Sequence, residues 1–242
     1  MNTIHILSIG NSFSQDAQCY LHDLARSEGC QIEAVNLMIG GCSLERHFRN
    51  IKGDKKEYTL EVNGHTCSGF LVGIKDALLA RSWNYITLQH ASYLSFKEES
   101  YEPYLKEIAA YVRELCPKAK LLIHQTWAYE TNSDMIKAQG FETYMQMFEK
   151  IRPCYEKAAL DIHADGIIPS GDAFKKALEL GIPSVHRDGF HAKLGVGRFI
   201  LALVWYKYLT GNTIDQVTFQ DFQEPVDEKE YVLAIETVNQ IF

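Results

Sequence analysis

The N-terminal part of the chain contains a strand, a helix and a second strand in close succession. Residues 3–9 form a short apolar run of β-favouring residues that leads into Gly10-Asn11-Ser12. Apolar residues recur at helical spacing over residues 14–27, and Gly29 follows as a stop signal. Residues 32–38 are then typical of a second buried strand. This order predicts a parallel βαβ unit, because parallel neighbours need a crossover connection.

The rest of the chain continues this alternation with one interruption. Residues 57–70 alternate around Asn63-Gly64, a dipeptide typical of a type I′ turn, and predict an inserted antiparallel hairpin. The remaining predicted elements are strands at 85–89, 119–125 and 165–169 and helices at 77–81, 101–116, 143–159, 171–180, 195–209 and 228–241. The expected fold class is α/β: a three-layer α/β/α sandwich with a mostly parallel, five-stranded, doubly wound sheet plus the hairpin. No linker interrupts the pattern, so we expect one domain over residues 1–242.

Charge and hydropathy exclude several classes of partner. The chain has 24 Lys and Arg against 31 Asp and Glu, a net charge of −7. Nucleic acids and anionic membranes need clustered positive charge, so neither is an expected partner. No apolar run is long enough to span a bilayer, and Met1 leads almost directly into the first strand without room for a signal peptide. The expected location is the cytoplasm, or the periplasm or exterior if a leader has been removed.

Polar or glycine-rich loops follow the first four strands of the predicted parallel sheet. They cover residues 10–14, 40–43, 89–92 and 126–130. In doubly wound sheets, ligands bind outside the carboxyl ends of the strands. The loops therefore predict a site at this edge, with a small molecule as the partner; the oligomeric state is left open.

Ser12 lies between a buried strand and the start of a helix. Its N–H would lie near the positive end of the helix dipole, and Gly10 allows a tight turn before it. One interpretation is that Ser12 or Ser14 caps the helix, as serines often do. The other is a nucleophile, which needs a base within hydrogen-bond reach of the hydroxyl.

Among the nine histidines, His191 differs because Asp188 precedes it by three residues. A loop with this spacing can fold the carboxylate back onto the imidazole, which fixes its tautomer and stabilises the imidazolium. A simple role at the entry to the following helix is the alternative. His90 and His124 fall near strand ends and stay as secondary candidates. No dense group of His, Cys and carboxylates suggests a metal, and we expect no cofactor.

Together these blocks resemble the SGNH (GDSL-like) hydrolase family. The resemblance covers nearly the whole chain in order and is carried by Gly10-Asn11-Ser12-Phe13-Ser14, Gly40-Gly41, Gln89-His90 and Asp188-Gly189-Phe190-His191. It implies an esterase in which Ser12 is the nucleophile and His191 is the base. Asp188 would then orient the His191 ring.

The resemblance also implies an oxyanion hole, which needs two or three donors. The implied donors are the Ser12 N–H, the N–H of Gly41 or Gly40, and an asparagine side chain after the third parallel strand. This chain departs from the family there, because it has Leu88-Gln89-His90-Ala91-Ser92. Gln89 offers the same amide on a longer arm and is our expected third donor. The alternative is a glutamine that only hydrogen-bonds neighbouring loops.

Aromatic residues near these loops are candidates for substrate binding. Trp127, Tyr129 and Tyr93 would form a polar-aromatic pocket suited to a sugar or an acyl group, whereas Trp127 covering the core is the alternative. Arg187 either contacts an anionic substrate group or is a solvated loop charge.

Several functions fit this sequence. We favour a serine esterase that hydrolyses a small acyl ester, with an O-acetyl group on a carbohydrate as the first guess. A thioesterase or lysophospholipase-type hydrolase is one alternative, and a non-catalytic binding module with the same fold is another. An FMN-binding flavodoxin-like domain is a third class, although residues 10–14 make a poor phosphate loop.

Overall fold

The structure, a computed structural model, describes residues 3–242 and is built around a seven-stranded sheet. Met1 and Asn2, on which the expectation about a leader depends, lie outside the described residues. The strands are β1 (Ile4–Gly10), β2 (Ile32–Met38), β3 (Tyr58–Val62), β4 (His65–Val72), β5 (Tyr85–Leu88), β6 (Lys120–His124) and β7 (Gly166–Ile168), in the order β4-β3-β2-β1-β5-β6-β7. The predicted α/β/α sandwich is confirmed, but the predicted count of five strands is wrong.

The difference in strand count comes from the hairpin. Its turn forms at Asn63 and Gly64, which both have positive φ, at 54° and 80°. The hairpin is not separate from the sheet, because β3 pairs antiparallel with β2 and extends the sheet by two strands. This pairing covers an edge of β2 that would otherwise expose unpaired backbone groups. Five parallel strands therefore carry two antiparallel ones at their side.

Ten α-helices cover the sheet in the part of the chain that the structure describes. They are α1 (Ser12–Gln18), α2 (Leu21–Ser27), α3 (Leu44–Lys52), α4 (Ile74–Leu79), α5 (Tyr104–Leu115), α6 (Asp134–Ala138), α7 (Tyr144–Asp161), α8 (Ser170–Glu179), α9 (Val196–Thr210) and α10 (Glu228–Asn239). Crossovers after β1 and after β5 run in opposite directions along the sheet. Because such crossovers are right-handed, their helices lie on opposite faces.

The helices differ from the sequence prediction in the segment of α1 and α2 and in two helices that were not predicted, α3 and α6. The single helix expected over residues 14–27 is divided into α1 and α2 at Cys19 and Tyr20. The hairpin turn packs there so closely that a Cβ on Gly64 would lie 2.4 Å from the Cys19 carbonyl oxygen. Helix α3 forms in a stretch where four of nine side chains are charged, and Ser43 Oγ caps it by accepting from the Arg46 N–H at 3.2 Å.

The strand order changes direction at β1, because β2 is added on one side of β1 and β5 on the other. A crevice forms at such a point outside the carboxyl ends of the strands. The loops after β1, β2 and β5 meet there, together with the loop that precedes α9. No helix in residues 3–242 is long and apolar enough to cross a membrane.

Candidate active site

A hydrogen-bonded row of three side chains lies at the carboxyl edge of the sheet. Ser12 is the first residue of α1, and its Oγ lies 2.9 Å from Nε2 of His191. Nδ1 of His191 lies 2.7 Å from Oδ2 of Asp188. The fold therefore brings together the three residues that were expected to form a catalytic row, although 179 positions separate the serine from the histidine.

Asp188 is held as a carboxylate by a local turn. Its Oδ1 accepts the backbone N–H groups of His191 at 2.8 Å and of Phe190 at 3.3 Å. Burial opposes ionisation, but these bonds and the His191 side chain outweigh it and lower the pKa of Asp188. The turn needs a left-handed residue, and Gly189 supplies it with φ +87°. An ionised Asp188 facing Nδ1 holds that nitrogen as the donor, which leaves Nε2 to accept the Ser12 proton.

The Ser12 side chain is free for chemistry because Asn11 caps the helix instead. Asn11 Oδ1 accepts from the Phe13 N–H at 3.0 Å, and Ser14 Oγ accepts from the Asn11 N–H at 3.1 Å. The capping interpretation therefore holds for Ser14, which completes the capping box, but not for Ser12. The N–H of Ser12 has no hydrogen-bond partner within residues 3–242. It is available as one oxyanion donor.

A tight turn after β2 carries the two glycines that were considered as the second donor. The turn closes where the Cys42 N–H donates to the Ile39 carbonyl at 3.1 Å, with Gly41 at φ +60°. Asn11 Nδ2 donates to the Cys42 carbonyl at 3.2 Å, which ties the turn to the residue before Ser12. Both Gly40 and Gly41 line the cavity beside Ser12, and neither N–H donates to a described residue. Both stay candidates.

Gln89 does not lie where an oxyanion donor is needed. Its side chain is buried and does not line the cavity beside Ser12. The amide nitrogen instead donates to Asn11 Oδ1 at 2.6 Å, and its oxygen accepts from His124 Nδ1 at 2.6 Å. The prediction that Gln89 is the third oxyanion donor is therefore corrected. Strand β5 directs Gln89 beneath the nucleophile loop, and its side chain reaches Asn11 and not the crevice.

His124 and Gln89 belong to one chain of buried hydrogen bonds. Burial lowers the pKa of His124 to about 3, so the ring is neutral and carries a single proton. Its Nε2 lies 3.1 Å from Ser170 Oγ, which in turn accepts from the indole N–H of Trp205 at 3.3 Å. Because the Gln89 amide oxygen can only accept, the single ring proton lies on Nδ1, and Nε2 accepts from the Ser170 hydroxyl. Every bond in the chain therefore points towards Asn11. His124 thus serves this network and does not line the cavity.

The cavity beside Ser12 has a volume of about 510 Å³. It is lined by Asn11, Ser12, Phe13, Gln15, Met38, Gly40, Gly41, Ser92, Tyr93, Tyr129, Met135, Gln139, Phe190 and His191. Among these residues there is no Asp, Glu, Lys or Arg. Met135 and Gln139, on and just after the short helix α6, form one wall, in the polar segment between β6 and α7.

The three aromatic candidates have different positions. Tyr129 lines the cavity and its hydroxyl lies 2.9 Å from Ser92 Oγ. Tyr93 stands at the rim, with 41% of its surface exposed. Trp127 is fully buried, stacks on Phe13 at 4.3 Å between ring centroids, and donates to the Phe190 carbonyl at 2.8 Å. Its expected role in substrate binding is therefore corrected to packing beneath the site.

Sequence reasoning missed Asp16, which is completely buried on α1. Its carboxylate binds Arg187 and Arg198, so Arg187 is directed into the protein and does not face a substrate. One signal was available, because Asp16 follows Ser12 by one helical turn and adjoins the apolar residues Ala17 and Tyr20 of the predicted helix. No group of three or more metal-ligating side chains occurs among the described residues.

With this geometry established, comparison with known proteins assigns the family. A family model described as a domain of unknown function, DUF4886, matches residues 5–239. The chain belongs to the DUF4886 family. It is also similar to a DUF4886 family protein from Bacteroides uniformis in a crystal structure, at 36% identity and a TM-score of 0.91 over 99% of this chain and 95% of that one.

Other solved structures resemble this DUF4886 protein at lower identity. A protein assigned to the SGNH hydrolases from Slackia heliotrinireducens is 18% identical, with a TM-score of 0.62 over 86% of this chain and 100% of that one. The psychrotrophic esterase EstA from a Pseudoalteromonas species is 11% identical, with a TM-score of 0.53 over 86% and 99%. These likenesses confirm the predicted SGNH hydrolase fold. No curated protein sequence matches the DUF4886 chain.

Proposed function

We propose that this DUF4886 protein is a serine esterase that hydrolyses a small, uncharged acyl ester through an acyl-enzyme at Ser12. The observation that carries the proposal is the hydrogen-bonded row from Ser12 through His191 to Asp188, which opens into a cavity. A base within reach of the hydroxyl is what a serine needs to act as a nucleophile. The free N–H of Ser12 and those of Gly40 and Gly41 supply candidate oxyanion donors.

In the proposed reaction, Ser12 Oγ attacks the ester carbonyl while His191 Nε2 takes its proton. The resulting oxyanion accepts hydrogen bonds from the Ser12 N–H and from a glycine N–H of the turn after β2. Collapse of the intermediate breaks the C–O bond, and the His191 imidazolium returns its proton to the leaving alcohol. Water activated by the same nitrogen then releases the acyl group from Ser12. Asp188 stabilises the imidazolium in both halves of the reaction.

The cavity supports a neutral substrate. None of its lining side chains carries a permanent charge, and phenylalanine, tyrosine and methionine supply much of its wall. An anionic group bound there would lose its hydration without a cationic partner. We propose an acylated carbohydrate as the substrate, with the exposed ring of Tyr93 stacking on the sugar and Tyr129 beside the acyl group. Trp127 is fully buried and does not contribute to this substrate pocket.

Two alternatives predict different substrates or none. A thioesterase or a lysophospholipase-type hydrolase would use the same row of residues on a longer acyl chain, for which a cavity of about 510 Å³ also has room. A non-catalytic binding module would have no need for a base 2.9 Å from the Ser12 hydroxyl. The geometry therefore favours a hydrolase over a binding module.

The first experiment is hydrolysis of p-nitrophenyl acetate by the wild type, Ser12→Ala and His191→Ala. Loss of turnover in both variants, with folding intact by circular dichroism, is the expected result. Ser27→Ala is the control, since Ser27 is an exposed serine at the end of α2 that neither lines the cavity nor contacts Asn11 or His191. Equal rates in all proteins would contradict the proposal.

A second measurement detects a reactive Ser12 even if the enzyme accepts only its natural substrate and does not hydrolyse p-nitrophenyl acetate. EstA has been solved inhibited by monoethylphosphonate, so an alkyl fluorophosphonate is a suitable probe here. Intact-mass analysis should show one phosphonyl adduct on the wild type and none on Ser12→Ala. Absence of both turnover and adduct in the wild type would support the binding module. Acetylated sugars and acyl thioesters then distinguish the substrate classes.

A further inference from the structure

We infer that Asp16 is a positioning residue that holds the loop of Asp188 and His191 against the helix of Ser12. This inference rests on the proposed function. Asp16 lies one helical turn after Ser12 on α1, so the two residues share a face of the helix. Its side chain is completely buried. A buried carboxylate in this place needs partners, and two of the three residues that bind it come from the loop that carries the base.

The loop binds Asp16 on both sides of the catalytic pair. Before the pair, the Arg187 guanidinium donates to both carboxylate oxygens of Asp16 at 3.0 Å. After it, the Ala192 N–H donates to Oδ2 at 2.9 Å. Asp188 and His191 lie between these two anchor points. A single side chain of the nucleophile helix therefore fixes both ends of the segment that carries the base.

Arg187 also closes the loop upon itself. Its backbone N–H donates to the His191 carbonyl at 3.1 Å, and its guanidinium donates to the Ala192 carbonyl. The guanidinium lies 3.9 Å from the Asp188 carboxylate. These bonds hold residues 187–192 together, so a shift of the Asp16 carboxylate would move His191 with it.

A second guanidinium completes the cluster without belonging to the loop. Arg198, on α9, donates to Asp16 Oδ1 through Nε at 2.9 Å and through its terminal nitrogen at 2.6 Å. It also contacts Cys19 and Gln223. Arg198 anchors the carboxylate to α9, whereas Arg187 anchors it to the catalytic loop. Substitution of Arg187 therefore tests the positioning of His191, whereas substitution of Arg198 tests only how much the Asp16 cluster stabilises the fold.

The consequence for catalysis follows from the short contact between Ser12 and His191. Their side-chain atoms lie 2.9 Å apart, which is within the range needed for proton transfer. Misplacement by about 1 Å costs on the order of 100-fold in rate. Loss of the Asp16 anchor should therefore lower kcat, while KM changes little because Asp16 does not line the cavity.

The test compares Asp16→Asn, Arg187→Met and Arg198→Met with the wild type. We measure kcat and KM for p-nitrophenyl acetate, the thermal midpoint, and the downfield NMR resonance of the His191 Nδ1 proton that faces Asp188. We expect Asp16→Asn and Arg187→Met to lower kcat by about 10- to 100-fold with KM within about 3-fold. The His191 resonance should shift or broaden in both. Arg198→Met should lower the midpoint to a similar degree but lower kcat much less than Arg187→Met does.

The inference would be overturned if the kcat losses of the three variants simply followed their losses in thermal midpoint, with the His191 resonance unchanged. Failure of the proposed function is a separate result. It would show as a wild type that neither hydrolyses esters nor reacts with the phosphonate at Ser12. In that event the NMR resonance alone decides whether Asp16 positions His191.

Discussion

The amide nitrogen of Gln89 donates a 2.6 Å hydrogen bond to Oδ1 of Asn11, the residue before the candidate nucleophile. Asn11 Nδ2 in turn donates to the Cys42 carbonyl, in the turn that carries Gly40 and Gly41. Asn11 therefore joins two backbone segments that line the cavity, and the N–H groups of Ser12, Gly40 and Gly41 in them donate to no residue among 3–242. Gln89 contacts Asn11 and does not itself line the cavity.

Removal of the Gln89 amide should therefore act through Asn11. We expect Gln89→Met and Asn11→Ala each to lower kcat, by up to about 100-fold, because the two N–H groups lose their relative placement. The double variant should be no worse than the poorer single variant by more than about 3-fold, since the residues act in series. Steady-state kinetics with p-nitrophenyl acetate measures both effects.

Gln125→Met is the matched control for this prediction. Gln125 is also buried directly after a parallel strand, but its amide bonds to Asp172 and not to Asn11. The Gln125→Met variant should have a lower free energy of unfolding and an unchanged kcat. Additive losses in the Gln89 and Asn11 double variant would contradict action in series.

The turn after β2 should tolerate alanine at Gly40 but not at Gly41. Gly41 has φ +60°, where an L-residue costs about 1–2 kcal/mol, and an added Cβ would meet Tyr93 at 3.8 Å. A Cβ on Gly40 meets nothing within 4 Å. Both variants keep the backbone N–H, so a lower kcat in Gly41→Ala alone would report displacement of the turn. Equal kcat values in the two variants would argue against a catalytic role for the Gly41 backbone.

Met135 should limit the size of the acyl group. It lines the wall of the cavity from α6, so Met135→Trp would fill part of the space. We expect kcat/KM for p-nitrophenyl hexanoate to fall at least about 10-fold relative to the acetate, because one methylene in a pocket is worth about 1–3 kcal/mol. Met145→Trp is the control, since Met145 is exposed and does not line this cavity. An unchanged hexanoate-to-acetate ratio would place the acyl group elsewhere.

Four buried histidines should make the protein sensitive to mild acid. Burial lowers the pKa of His47, His90 and His124 to about 3 and that of His186 to about 4. In the unfolded chain these groups titrate near about 6.5, so between about pH 4 and 6 the unfolded state binds more protons. Stability should fall as pH drops below about 6.5, by up to about 1.4 kcal/mol per pH unit for each histidine.

Urea unfolding at pH 7, 6 and 5 measures this effect as a falling midpoint. Leu24→Ala, which removes packing at a buried position of α2 but no titratable group, is the control and should lower the midpoint without changing its slope with pH. His90→Gln should make the dependence on pH less steep. A midpoint that stays constant from pH 7 to 5 would contradict neutral burial of these rings.

The sequence by itself determined the features that depend on near neighbours along the chain. The Asn63-Gly64 turn needs only two residues that tolerate positive φ. The contact between Asp188 and His191 needs only a turn of three residues, so the i, i+3 spacing predicts it. The alternation of strands and helices likewise follows from periodicity, and with it the edge of the sheet where Ser12 lies.

The tertiary structure alone decided which side chains reach the cavity. Three residues lie in or next to the segments that form the site, yet their side chains are buried and do not line the cavity: Gln89, Trp127 and Asp16. Their positions depend on the direction in which each strand or helix presents a side chain and on partners far away in the chain, as Asp16 and Arg198 show at 182 residues apart. The pairing of β3 with the edge of β2, which extends the sheet from five strands to seven, also depends on such distant contacts. Such contacts are set by packing in three dimensions and not by near neighbours along the chain.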